Sequence, residues 1–227
     1  MILINIPKSM VKPHAFDDGN KDTFYIRYGN TINNMRLDDL REMFKGREIL
    51  ERNILNFRDN RLSKLYSGEI IGKIGSKSLL TLHQIPEWSM GLNSFVSLKD
   101  LKENYKLDVF SPERYSNSNK RRGNESYNHD GLRLEAINHE GGVDSYTPVF
   151  YNGIIESVEI RMMNRVSNNG DSQPTIYRWD RFEEYLAIKI KELIEVILDY
   201  GIAKPIYIFV SLLNVKGKTA TFGEWGD

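Results

Sequence analysis

Phe24–Phe44 reads FYIRYGNTINNMRLDDLREMF, and the fold turns on how this stretch divides. Its first half alternates like a strand, with Phe24, Ile26 and Tyr28 on one face and Tyr25 and Arg27 on the other. Gly29-Asn30 breaks the strand, and Asn33 or Asn34 is suited to accept from the unpaired N–H groups of a new helix. In that helix Leu37, Leu40, Met43 and Phe44 recur at helical spacing, with Asp38, Asp39, Arg41 and Glu42 outside. Arg27 then leaves a strand just before a helix N-terminus, an arrangement that can hold an anion. The plainer alternative pairs Arg27 with Asp22 or Asp38.

Outward from this stretch, Asp17–Asp22 (DDGNKD) is a turn, which makes the apolar run Ile2–Ile6 a candidate sheet neighbour of Phe24–Tyr28. Gly46 marks an expected break. A longer helix follows from about Glu48 to Tyr66, with Leu50, Ile54, Leu55, Phe57, Leu62, Leu65 and Tyr66 on one broad arc. Arg58 and Arg61 fall inside that arc, so each needs a counter-ion, a phosphate or a partner domain. Gly68–Ser78 (GEIIGKIGSKS) is no P-loop, because Gly72-Lys73 is followed by Ile74 and a helix precedes it. Leu79–Ile85 reads as a strand closed by Pro86, with His83 packed inside it, and Leu98–Asn104 makes a short helix. Ser116–Ser126 is a polar loop carrying the densest positive run, Lys120-Arg121-Arg122, a local phosphate contact or simply a solvated face.

Downstream, His129, Asp130, Glu135, His139, Glu140 and Asp144 crowd one region without the spacing of any metal motif. Tyr146–Ile160 holds two alternating runs around Asn152-Gly153, a strong hairpin signal. Asp180–Tyr200 is the best helix, with Asp180 and Glu183 at its start and Gly201 past its end. Ile206–Val215 reads as a buried strand. The pattern is α+β, an antiparallel sheet packed with a long helix following a smaller N-terminal unit. The expected division is 1–45, a connecting helix 46–67, and an α+β domain 68–227.

Composition narrows function. Lys plus Arg and Asp plus Glu both number 31, so the chain lacks the basic excess of a protein that grips nucleic acid over a broad face. With no cysteine there is no disulfide, thiolate chemistry or zinc–thiolate site. No cofactor motif is present. No apolar run reaches 18 residues, so no membrane partner is expected and a cytoplasmic location is.

Pro7-Lys8-Ser9, Pro13-His14 and FYIRYGNT resemble the closing part of the Schlafen/AlbA-type domain, once called divergent AAA. LLTLHQIP, YNHDG, SYTPVFYNGIIESV and PIYIFVSLLNVKG are similar, in the same order, to segments of bacterial proteins that carry it. The resemblance implies a partial sheet-and-helix unit of that type and binding of DNA or RNA, some relatives being RNA-cleaving. The family's nuclease carboxylates precede the strand corresponding to Ile2–Ile6, so no catalytic residue carries over. What carries over is Arg27, Gly29 and Thr31 in the strand-to-helix loop, joined by Arg58 and Arg61. The expected function is therefore nucleic-acid binding through the phosphate backbone, without a catalytic centre. The alternative is a protein-interaction or oligomerisation subunit of a larger, nuclease-containing assembly, docking through Ile2–Ile6 and helix 48–66. The apolar opening at Ile2 also suggests that a preceding piece is missing.

Overall fold

A computed structural model describes residues 12–17, 19–71, 77–91, 94–104, 124–138, 140–164, 175–176 and 179–220. The expectations placed on Ile2–Ile6 and on Lys120–Arg122 lie outside the described residues. The class is α+β, as the periodicities indicate. The chain divides into two compact units, Met1–Phe57 and Arg58–Asp227.

In the first unit β1 (Ala15–Asp17), β2 (Asp22–Tyr28) and β3 (Thr31–Asn34) form an antiparallel meander. The β1–β2 turn is closed by Gly19, at φ 86°, whose N–H donates to Asp17 Oδ1 at 2.7 Å. Gly29-Asn30 is a two-residue hairpin loop between paired Tyr28 and Thr31, with Gly29 at φ 60° in the first central position, where positive φ is required. This corrects the reading of Asn33 and Asn34 as helix caps, because the chain reverses at Gly29 and both asparagines belong to β3. The helix α1 begins only at Leu37. Arg36 is its cap residue: its C=O takes the first helical bond from Leu40 N–H, and Asp39 Oδ2 reaches back to its N–H at 3.0 Å.

α1 runs unbroken from Leu37 to Ser67, so the break expected at Gly46 does not occur. One interior glycine costs about 1 kcal/mol relative to alanine. That is too little to stop a helix whose flanks are rich in Leu, Glu, Arg and Lys. The division between the two units falls within this helix.

The second unit is built on a six-stranded antiparallel sheet. Its strands are β4 (Leu79–Pro86), β5 (Asn124–Tyr127), β6 (Gly131–Ile137), β7 (Val143–Phe150), β8 (Ile155–Glu159) and β10 (Ile206–Leu213), ordered β10-β4-β8-β7-β6-β5. β9 (Thr175–Ile176) and β11 (Thr219–Ala220) make a small parallel pair. The β7–β8 connection is the hairpin foreseen at Asn152-Gly153, with Phe150 N–H donating to Ile154 O at 2.9 Å. One sheet face carries Leu80, Leu82, Leu132, Leu134, Val149 and Ile155, packed with α2 (Leu98–Asn104) and α3 (Trp179–Asp199) into the main core. The opposite face receives the C-terminal part of α1, where Leu65 packs with Leu79, Tyr146 and Val158. β4 is covered on both faces, and all eight of its residues are buried.

α3 starts at Trp179, one residue before the aspartate read as its cap, and ends as its sequence predicts. Gly201, at φ 87°, donates to Leu198 O, and Ile202 N–H reaches Ile197 O. This is a Schellman ending in which Ile197 and Ile202 both join the core. β10 departs from expectation. It is an edge strand with one face outward, not a buried one.

Candidate functional site

The hairpin changes what Arg27 can do. Its Nε donates to Gly29 O at 2.9 Å, and Thr31 Oγ1 donates to Tyr28 O at 2.9 Å, so both serve their own turn. A turn and a strand separate Arg27 from α1, so no helix N-terminus lies directly beyond it. The N-terminus of α1 already carries carboxylates. Asp39 takes the Arg36 N–H, and Asp38 pairs with Arg41 at 3.2 Å. An incoming phosphate would meet two negative side chains there. The loop that holds Arg27, Gly29 and Thr31 is therefore a hairpin turn and not the strand-to-helix loop expected.

The register sorts the side chains of this small sheet. Phe16, Thr23, Tyr25, Arg27, Ile32 and Asn34 share one face. Phe16 and Tyr25 meet edge to face with ring centroids 6.3 Å apart. Phe16 is 59 % exposed and Ile32 69 % exposed. On the other face Phe24 and Ile26 are half-buried. Across residues 12–57, Ile54 is the one buried side chain among the described residues. A three-stranded sheet needs an apolar face covered to be stable. This unit leaves Phe16, Tyr25 and Ile32 of one sheet face exposed.

Arg58 and Arg61 have different fates. Arg58 is bound to Asp59 at 2.7 Å and lies over the Phe209 ring, 4.9 Å from its centroid. Arg61 is buried. Its Nε and Nη2 donate to the two carboxylate oxygens of Glu156, both at 2.9 Å, and Nη2 also reaches Tyr146 Oη at 3.4 Å. The guanidinium stacks 5.0 Å above the Phe150 ring. His83 Nε2 lies 3.0 Å from Glu156 Oε2, and because a carboxylate only accepts, Nε2 carries the hydrogen.

Burial works against ionisation of Glu156, but Arg61 and His83 outweigh it and hold its pKa below the usual value. Burial likewise works against the charge on Arg61, and Glu156 more than offsets it, leaving the guanidinium more basic than usual. Burial, reinforced by Glu156, raises the Tyr146 hydroxyl. With Nε and Nη2 committed to Glu156 and the guanidinium buried, the charge of Arg61 is already matched by a carboxylate. Arg61 is a latch that holds α1 on the sheet.

Beside the latch is a depression lined by Arg61, Asn128, Asp130, Arg133, Tyr146 and Phe150, with room for about one water (≈ 10 Å³). Arg133 lies over the Tyr146 ring and pairs with Glu135, so this hollow does not offer a free cation either. Among the described residues no group of three or more His, Asp or Glu is placed to hold a metal ion. No helix there is long and apolar enough to cross a membrane.

The sequence placed His83 as a packed strand residue, and it is fully buried. Glu156 went unremarked. The available signal was a carboxylate inside IIESVEI, an otherwise apolar strand, set against an arginine inside an apolar helical arc. Opposite charges stranded on two apolar elements invite pairing.

Comparison with known proteins adds no relative: no protein-family model, no curated protein and no solved structure matches the chain.

Proposed function

We propose that the protein works as an interaction subunit whose N-terminal unit completes its core against another protein chain. The observation that carries this reading is the burial pattern of residues 12–57: among the described residues Ile54 alone is buried, while Phe16, Tyr25, Ile32, Leu37 and Phe44 are exposed. Clustered exposed apolar groups of this kind mark association surfaces. The paired state of Arg58 and Arg61 supports the same choice over phosphate binding, as does the balance of 31 basic and 31 acidic residues. A cytoplasmic site of action and membership of the Schlafen/AlbA-type group go with the proposal.

A second reading, binding of single-stranded nucleic acid, is favoured by one feature. Phe16, Tyr25 and Arg27 stand together on an open sheet face, the composition of a base-stacking platform. The experiment that separates the two is a double substitution, Tyr25→Glu with Ile32→Glu, in protein purified from its own host. The proposal expects a co-purifying protein to be lost while the circular dichroism spectrum is unchanged. Retention of the same companion by the variant would refute it.

A further inference from the structure

The two edges of the six-stranded sheet are built differently. β5 (NESY) is short, fully exposed and carries Glu125, features that discourage another strand from pairing. β10 (IYIFVSLL) is eight residues long with no charge and no proline, and its register against β4 is unbroken from Ile206 to Leu213. Among the described residues β10 pairs with β4 alone, so every second N–H and C=O of β10 points away from the sheet. Its outer row is apolar as well: Ile208 is 38 %, Val210 47 % and Leu212 36 % exposed, although their neighbours Leu80 and Leu82 are covered.

We infer that β10 pairs antiparallel with β10 of a second copy of this chain, joining two six-stranded sheets across a twofold axis. The second copy fits because the strand is its own complement. It carries no charge to repel itself, and twofold pairing closes after two chains instead of growing into fibres. Symmetry then limits the register. An axis perpendicular to the sheet keeps each face on the same side, and directly opposed residues share a face. The outward row can therefore face only itself. The register centred on the outward row places Val210 opposite the partner's Val210 and Ile208 opposite the partner's Leu212. The three apolar side chains of each copy then lie flank to flank and exclude water from one another. This surface lies in the second unit and does not depend on the role assigned to the first.

The test is light scattering of the full chain over about 1–100 µM, the range in which such interfaces associate. The wild type is expected to be a dimer. Val210→Lys sets two ammonium groups against each other at the axis and is expected to weaken dimerisation about 100-fold or more. A wild-type monomer across the whole range overturns the inference, as does a dimer that Val210→Lys leaves intact. Because the chain has no cysteine, Val210→Cys gives an independent reading in protein that keeps its native packing. Mild oxidation with diamide should link two copies through residue 210 and should not do so for Ser126→Cys on β5. A dimer in which residue 210 fails to link places the interface elsewhere and equally overturns the inference.

Discussion

Arg61→Met removes the guanidinium of the buried latch while keeping a stem of similar length. Both hydrogen bonds to Glu156, at 2.9 Å each, are lost, and a fully buried carboxylate is left facing His83 alone. Breaking a buried pair from one side costs about 3–5 kcal/mol, because the remaining charge keeps its desolvation penalty. For a chain of this length that corresponds to a fall in Tm of roughly 6–20 °C. Arg61→Met combined with Glu156→Met removes both charges and should return stability to within about 1–2 kcal/mol of the wild type. The assay is urea unfolding followed by far-UV circular dichroism and by tryptophan fluorescence, since Trp88 packs against the main core of the same unit. A single substitution costing under about 1 kcal/mol, or a double variant as weak as the single one, would refute the view of Arg61 as a latch.

Other consequences are as direct. Glu156 has a folded pKa below its ordinary value of about 4.5, so its contribution is complete above that value and is lost as pH falls through the lower folded pKa. Thermal melts from pH 7 to pH 3 should therefore show a smaller acid-induced loss in Glu156→Gln than in the wild type, and equal slopes would contradict the pairing. Gly131 sits at φ 158° where an added Cβ would lie 2.0 Å from Val149 O. Gly131→Ala should force β6 away from β7 and cost about 1–3 kcal/mol in urea unfolding, whereas an unchanged midpoint would contradict the register there. If the β1–β3 face stacks bases, Tyr25→Ala should weaken binding of a labelled single-stranded RNA about tenfold or more by fluorescence anisotropy. An affinity unaffected by the substitution removes nucleic acid from that face.

The sequence was most legible where local chemistry decides structure. Asn152-Gly153 marked a hairpin, which closes as a three-residue loop with Gly153 at a left-handed φ of 82°, and Gly201 closed α3 because glycine accepts the left-handed φ of the Schellman ending without strain. Leu79–Ile85 was legible as a strand closed by Pro86, although its burial on both faces extends to Thr81, His83 and Gln84 as well. The misplacement came where two local signals compete. TINN after Gly29-Asn30 offers helix caps and also the returning arm of a hairpin, and pairing of Ile32 with Arg27 across the turn favours the second.

Non-local facts were beyond reach. Arg61 and Glu156 are 95 residues apart, and nothing in either neighbourhood names the other. β10 looked buried because its residues are apolar on both faces; only the sheet order reveals that it lies at an edge. The candidate site suffered most from this. Arg58 and Arg61 stand out in the sequence as arginines in need of partners, and the structure pairs them with Asp59 and Glu156.

If the N-terminal unit finishes its core on another protein, that protein should accompany the chain in the cell. The most direct measurement is the native mass of the chain purified from its own host, by light scattering with mass spectrometry of whatever accompanies it. A defined complex containing a different protein is expected, and Tyr25→Glu with Ile32→Glu should abolish it. Recovery of this chain alone, in one copy or two, at high concentration would contradict it.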